Sequence, residues 1–226
     1  MKIGILQTGH APDAMRPDTG DYADLFQRLL DGQGFDFVTY DVVDMRFPDS
    51  VRDCDGWLLT GSKHGAYEDH AFIAPLETFI RDAYAARVPM VGICFGHQII
   101  AQALGGTVEK YAGGWAVGRQ TYDWQGKTVA LNAWHQDQVI TRPEGARVVA
   151  SNDFCANAAL VYDDRILTVQ AHPEFETDFT LKLAEVRGEG VVPDPLIAGA
   201  RTAAAHPIDN KAVAQQMADF LKRNPT

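Results

Sequence analysis

The sequence predicts an α/β fold: a mostly parallel central sheet with helices on both faces, plus added antiparallel strands. Two observations carry that prediction. Up to Gly106, short apolar runs alternate with longer runs of helical period, a βαβαβα rhythm that builds a parallel sheet covered on both sides. After Gly106 the rhythm gives way to short strand-like runs separated by turn signals such as Gln125-Gly126 and Asp163-Asp164, the pattern of antiparallel pairing. At 226 residues the chain suits a single domain over 1–226 with a core of its own.

Taken in order, residues 2–6 read as the first strand, and 7–20 as a long polar loop. Asp21 is the predicted N-cap of a helix whose apolar face is Leu25, Phe26, Leu29 and Leu30, stopping at Gly32 or Gly34. Residues 35–43 and 55–60 read as strands two and three, and 61–69 as a polar loop. A helix over 73–86 carries Leu76, Phe79, Ile80 and Ala83 on one face. The run 90–93 is a buried strand leading into a helix through Ile99, Ile100, Ala103 and Leu104, closed by Gly105-Gly106. Strands are then expected at 107–110, 119–122, 128–131, 138–141, 147–150, 158–162 and 166–170, including a hairpin over the active face. Helices return at 177–186 and 211–221, with a short one at 195–205. Ligands of such sheets bind outside the carboxyl ends of the strands, so loops 7–20 and 61–69 and the turn after residue 93 should converge.

Composition narrows the function. The formal charge is −10 with no basic cluster, which argues against nucleic acid and anionic membranes as partners. No apolar run approaches the roughly 20 residues of a membrane span, and the N-terminus reads as a strand start rather than a signal peptide. Cys54, Cys94 and Cys155 are too few and too spread for a disulfide framework or a zinc site, and a cytoplasmic location is expected. The acidic residues show no metal-ligand spacing, and Gly61-Ser-Lys-His-Gly65 lacks the ending of a P-loop. Neither a metal nor another cofactor is expected.

The chemistry concentrates in Gly92-Ile-Cys-Phe-Gly96, a Gly-x-nucleophile-x-Gly elbow with cysteine in place of serine. A sharp strand-to-helix turn tolerates only small neighbours, hence glycine two residues either side of Cys94. The turn sets the thiol at a helix N-terminus, where the dipole favours a thiolate. A cysteine nucleophile needs a base, and the base an orienting group. Gln170-Ala-His-Pro-Glu-Phe175 supplies both: proline biases His172 toward an extended conformation, and in an extended segment His172 and Glu174 point the same way. His135, in Trp134-His-Gln-Asp137, is the second candidate base, and spacing alone does not decide between the two. Acyl transfer also needs oxyanion donors; the Phe95 amide offers one, and Gly61 or Ser62 the other.

These residues resemble a known family. Gly92-Ile-Cys-Phe-Gly-His-Gln98 and His172-Pro-Glu174 look like the paired signatures of class I (triad-type) glutamine amidotransferases, over about residues 1–180. The group most similar is the stand-alone one resembling the glutaminase domain of GMP synthetase, which includes γ-glutamyl peptidases. The resemblance implies a flavodoxin-like sheet and hydrolysis of the γ-amide of glutamine through a Cys94 thioester. It makes His172 the base and Glu174 its orienting group, with oxyanion contacts from Gly61 and Phe95. It also places Ser62, Gln98, Trp134 and His135 against the substrate. No synthetase domain is expected within the chain, so a separate synthetase or acceptor subunit is a possible partner. The alternative reading is a γ-glutamyl peptidase acting on a conjugate. A third, from another class, is a non-enzymatic redox or binding protein with a reactive elbow cysteine.

Overall fold

The computed structural model describes residues 1–223. Five parallel strands form one half of its main sheet: β1 (Lys2–Leu6), β2 (Asp36–Tyr40), β3 (Gly56–Leu59), β4 (Met90–Ile93) and, from late in the chain, β11 (Ile166–Val169). Antiparallel strands β6 (Ala116–Trp124), β7 (Lys127–His135), β9 (Ala146–Ser151) and β10 (Ala159–Tyr162) extend it. The order is β2-β1-β3-β4-β11-β10-β9-β6-β7. Strands β5 (Thr107–Lys110) and β8 (Asp137–Thr141) pair with each other in a separate two-stranded sheet, so not every added strand joins the main one.

Side-chain alternation along the strands divides the core. Leu58, Val91 and Ile93 face Phe26 of α2 (Tyr22–Leu29) and Val213 and Met217 of α7 (Asn210–Leu221). Trp57, Leu59 and Met90 face Phe79 and Ile80 of α3 (Ile73–Ala85) and Ile99 and Ile100 of α4 (Phe95–Ala103). Asp21 caps α2 in a capping box with Asp24, as its position predicts. The helix ends at Leu29, a few residues before the glycine stop.

The 7–20 loop holds one short helical turn, α1 (Arg16–Thr19), with Pro17 in its first turn, where the missing N–H costs nothing. Residues 41–43, read as the end of strand two, leave the strand, and Val42–Asp44 form a 3-10 turn. Strands β6 and β7 reach nine residues each, far beyond the short runs expected. Their turn explains the length: Gln125 and Gly126 both take positive φ, 52° and 81°, the backbone twist that continues a hairpin. Helices α5 (Thr177–Arg187) and α6 (Asp194–Ala203) follow the sheet. Ala200 of α6, with partly buried Leu196 and Ile197, packs against Val117 and Trp115 at the start of the hairpin. Among the described residues no helix is long and apolar enough to cross a membrane.

Two glycines let α4 approach the sheet. A Cβ on Gly92 would stand 2.6 Å from the Gly96 carbonyl oxygen, and one on Gly96 would stand 2.5 Å from that of Leu59. Gly96→Ala is therefore expected to cost about 1–3 kcal/mol or more through overpacking, read as a lower urea midpoint. Gly199→Ala, in α6 with nothing within 4 Å of the new carbon, is expected to be neutral or stabilising by about 0.5–1 kcal/mol.

Candidate active site

Three adjacent strands deliver the site. Cys94 follows β4, with β3 on one side and β11 on the other. Its backbone stands at φ 53° and ψ −103°, a region that costs a non-glycine residue strain. Backbone bonds hold it there: the Cys94 N–H donates to the Val169 carbonyl at 2.8 Å, and the Gly96 N–H donates to that of Thr60 at 3.1 Å. Phe95 opens α4, so its amide has no acceptor within the helix.

His172 lies just beyond β11. Its N–H donates to the Asn132 carbonyl at 2.8 Å, and its ring stacks on Phe175 at 3.9 Å and 4°. Its Nδ1 is 2.7 Å from Glu174 Oε1, and its ring borders the same cavity as Cys94. The predicted pairing of His172 with Glu174 is present, but an extended segment is not what produces it. The Phe175 N–H donates to the His172 carbonyl at 3.2 Å, closing a turn with Pro173 in its second position, a place proline favours. Burial alone would depress the His172 pKa; the charges of Glu174 and Cys94 and the Glu174 hydrogen bond outweigh it and hold the imidazole well above its usual range.

His135 differs. Its Nδ1 donates to the Asp137 carbonyl at 3.2 Å, and its buried Nε2 has no partner among the described residues. Burial, then the charge of His172, lowers its pKa to about 3, so the ring is neutral. Of the two candidate bases, His172 is the one paired with a carboxylate and set, with Cys94, against Gly61.

On the other side, Gly61 lies against the pair: a Cβ there would be 3.0 Å from His172 Cε1 and 3.7 Å from Cys94 Cβ. The Thr8 and Thr60 hydroxyls each stand 3.1 Å from the Gly61 carbonyl and fix the plane of that peptide. The 7–20 segment thus buttresses the site through Thr8. Ser62 Oγ accepts the His64 N–H at 3.2 Å. Gln98 donates its amide to the Asp137 carbonyl at 2.9 Å and to Gln170 Oε1 at 3.1 Å, which leaves its own carbonyl oxygen for a ligand.

Cys94, His172, Gly61, Ser62, Gln98, Trp134 and His135 all border one cavity of about 360 Å³; Phe95 is buried behind the elbow. Lys63 and Tyr67, from the 61–69 loop expected at the site, line part of the remaining wall, and sequence reasoning missed its other members Tyr22, Lys110, Arg187 and Val191. No local signal marks them. Lys63, Lys110 and Arg187 also make part of this wall cationic in a chain of formal charge −10. Trp115 and Trp134, ring centroids 6.0 Å apart, form an aromatic side. Among the described residues, His64, Glu68 and His70 bring three ligating atoms within 4.8 Å of one another.

The glutamine amidotransferase class-I family model matches residues 34–180. Gamma-glutamyl peptidase 4 of Arabidopsis thaliana is 28% identical, over 92% of this chain and 90% of its own. The matching subunit of the glutamine-hydrolysing GMP synthase of Halobacterium salinarum is 34% identical, over 69% of this chain and 84% of its own. A crystal structure of a glutamine amidotransferase from Methylobacillus flagellatus superposes with a TM-score of 0.69 at 23% identity, covering 98% of this chain and 91% of that one.

The three thiols stand in different surroundings. Cys94 borders the cavity. Burial raises the pKa of Cys54 and pushes that of Cys155 up to about 12, which withdraws their thiolates at neutral pH. Iodoacetamide at pH 7 is expected to modify Cys94 at least about tenfold faster than either. Peptide mapping by mass spectrometry checks this, and equal rates would contradict it.

Proposed function

The chain belongs to the class-I glutamine amidotransferase family, and from that membership we propose that it hydrolyses a γ-glutamyl amide through a thioester on Cys94, with glutamine as the reference substrate. The observation that carries the reading is the pairing of His172 with Glu174 beside Cys94, at the head of an open cavity.

In this mechanism the Cys94 sulfur attacks the γ-carbonyl carbon while His172 holds the thiol proton. Glu174 accepts the Nδ1–H of His172, keeping Nε2 toward the sulfur and stabilising the imidazolium. The amides of Phe95 and Gly61 receive the oxyanion as it forms; the carbonyl of the Thr60–Gly61 peptide already accepts from the Gly96 N–H at 3.1 Å and the Thr8 hydroxyl at 2.9 Å, so little reorganisation is needed at that moment. Collapse of the tetrahedral species breaks the carbon–nitrogen bond, and His172 gives its proton to the departing ammonia. Water then attacks the thioester, His172 takes its proton, and glutamate leaves with the thiol restored. The Gln98 carbonyl and neutral His135 Nε2 are acceptors for the α-ammonium, and Lys63, Lys110 and Arg187 supply positive charge for the α-carboxylate. Ser62 and Trp134 border the same head group. As a glutaminase, the protein would pass ammonia to a separate synthetase or acceptor chain; the similarity to a GMP synthase subunit suggests such a partner.

One observation favours a second reading. The cavity has the size of pockets that take ligands larger than an amino acid, and Trp115 and Trp134 line it together with Val191. Ammonia needs no such wall, whereas the amine half of a γ-glutamyl conjugate would lie on it. The likeness to a γ-glutamyl peptidase over nine-tenths of the chain points the same way.

Ammonia and glutamate release from L-glutamine, beside a panel of γ-glutamyl dipeptides and amides, tests both readings. Cys94→Ala and His172→Asn are expected to lose at least about 10³-fold in kcat/KM, and Glu174→Gln about 10²–10⁴-fold; full activity in Cys94→Ala would end the proposal. His135→Asn should change KM more than kcat. Trp115→Ala separates the substrates: KM should rise for conjugates with bulky amines and stay level for glutamine. A uniform change would remove the role given to the aromatic wall.

A further inference from the structure

A second cluster stands at the rim of the cavity, in the loop between β3 and α3. Glu68 Oε2 is 2.8 Å from His70 Nε2 and 3.8 Å from His64 Nδ1. The two imidazole rings are 4.0 Å apart between centroids, tilted by 59°. His70 also stacks on Phe72 at 5.9 Å and 17°. His64 and Glu68 border the cavity. None of the three has a part in the reaction above, and two imidazoles this close gain little from one another: doubly charged they repel, and a single carboxylate oxygen serves both.

The cluster is held mainly by backbone. The Glu68 N–H donates to the Gly65 carbonyl at 3.1 Å, the His70 N–H to that of Glu68 at 3.0 Å, and the Ile73 N–H to that of His70 at 3.0 Å. Gln102 of α4 donates to the Ala66 carbonyl at 2.8 Å. The donor atoms are therefore presented by a turn whose shape does not depend on their own contacts. Of those contacts, the His70–Glu68 hydrogen bond is the one an ion would replace.

We propose that His64, Glu68 and His70 form a binding site for a divalent transition-metal ion, with zinc(II) as the reference ion and an open coordination position. Two neutral imidazoles and one carboxylate are a ligand set for zinc, nickel or copper, whereas magnesium and calcium prefer oxygen throughout. Tetrahedral metal–ligand bonds of about 2.0–2.2 Å give ligand-to-ligand edges of roughly 3.3–3.6 Å. The distances from Glu68, 2.8 and 3.8 Å, bracket that range, so small side-chain rotations close the site. The spacing i, i+4, i+6 within an irregular loop matches no metal motif, and so the sequence suggested no metal. The His64 N–H is also bonded to Ser62 Oγ, so an ion here would stiffen the loop that carries Gly61. The binding itself does not depend on the reaction proposed above.

The test is calorimetric titration of zinc chloride into the untagged full-length Cys94→Ala protein. That background removes the thiol, which with His172 would compete for the ion. One site in the micromolar range is expected, with no binding of magnesium. Adding His70→Gln or Glu68→Gln should each weaken binding at least about tenfold, while His206→Gln should leave it unchanged. Circular dichroism checks that each variant is folded, and X-ray absorption of the zinc-loaded Cys94→Ala protein should show a nitrogen and oxygen shell. Absence of zinc binding, or affinity unaltered in both His70→Gln and Glu68→Gln, would overturn the assignment.

Discussion

Two backbone hydrogen bonds set the rest of the site. The Cys94 N–H reaches across to the end of β11, and the Gly96 N–H reaches back to the residue after β3. The turn between β4 and α4 is thus stitched to both neighbours in a parallel sheet, and all three strands end at the same level. Parallel order matters here. It places three carboxyl ends side by side, so that Gly61, Cys94 and His172 meet although far apart in sequence. The stitches also oppose the strain of Cys94 at positive φ, a conformation that costs of order 1–3 kcal/mol and persists only where its surroundings over-determine it. The missing side chains of Gly92 and Gly96 let α4 come close enough for them to form.

The two halves of the chain contribute different parts. The parallel half provides the thiol, its helix and the Gly61 peptide. The later half provides the imidazole, its carboxylate and much of the cavity wall. The halves are joined where β11 pairs with β4, and within the later half Asn132 on β7 anchors the imidazole: its carbonyl accepts the His172 N–H and its side chain donates to the Phe175 carbonyl at 3.0 Å. Asn132 therefore grips both ends of the turn that carries Glu174. It also sets the depth of Trp134 and His135, two and three residues further along the same strand. The position of the imidazole and the shape of the wall are coupled through one strand, and α6, packed on the hairpin, supports that strand from outside.

Legibility in the sequence followed the range of the forces involved. The elbow was legible because its constraint is local: a turn that sharp writes glycine at fixed positions around the thiol. The strand-and-helix rhythm was legible because burial on two faces writes itself as periodicity. The contact of His172 with Glu174 was expected, but from the wrong local geometry, since proline fits the second position of a turn as well as it biases its predecessor toward extension. The lengths of β6 and β7 depend on a two-residue turn and on pairing partners that short apolar runs do not reveal. Arg187, Lys110 and Tyr22 reach the cavity only through the packing of their elements, and nothing in their neighbourhoods distinguishes them from surface residues.

The choice between His172 and His135 shows the same lesson at atomic scale. Both rings are buried to a similar extent, each 4% exposed, and burial alone would depress both. The difference lies in what each Nδ1 faces. A carboxylate beside His172 favours the charged ring and lifts its pKa. A backbone carbonyl beside His135 offers a dipole without net charge, and the pKa falls to about 3. The effects reinforce one another, because charge on His172 further disfavours charge on His135. One ring is thereby kept able to carry a proton next to the thiol, and the other is kept a neutral acceptor at the cavity wall. Two histidines a few residues from similar strand ends acquire opposite chemistry from one neighbouring side chain, which is why spacing in the sequence could not separate them.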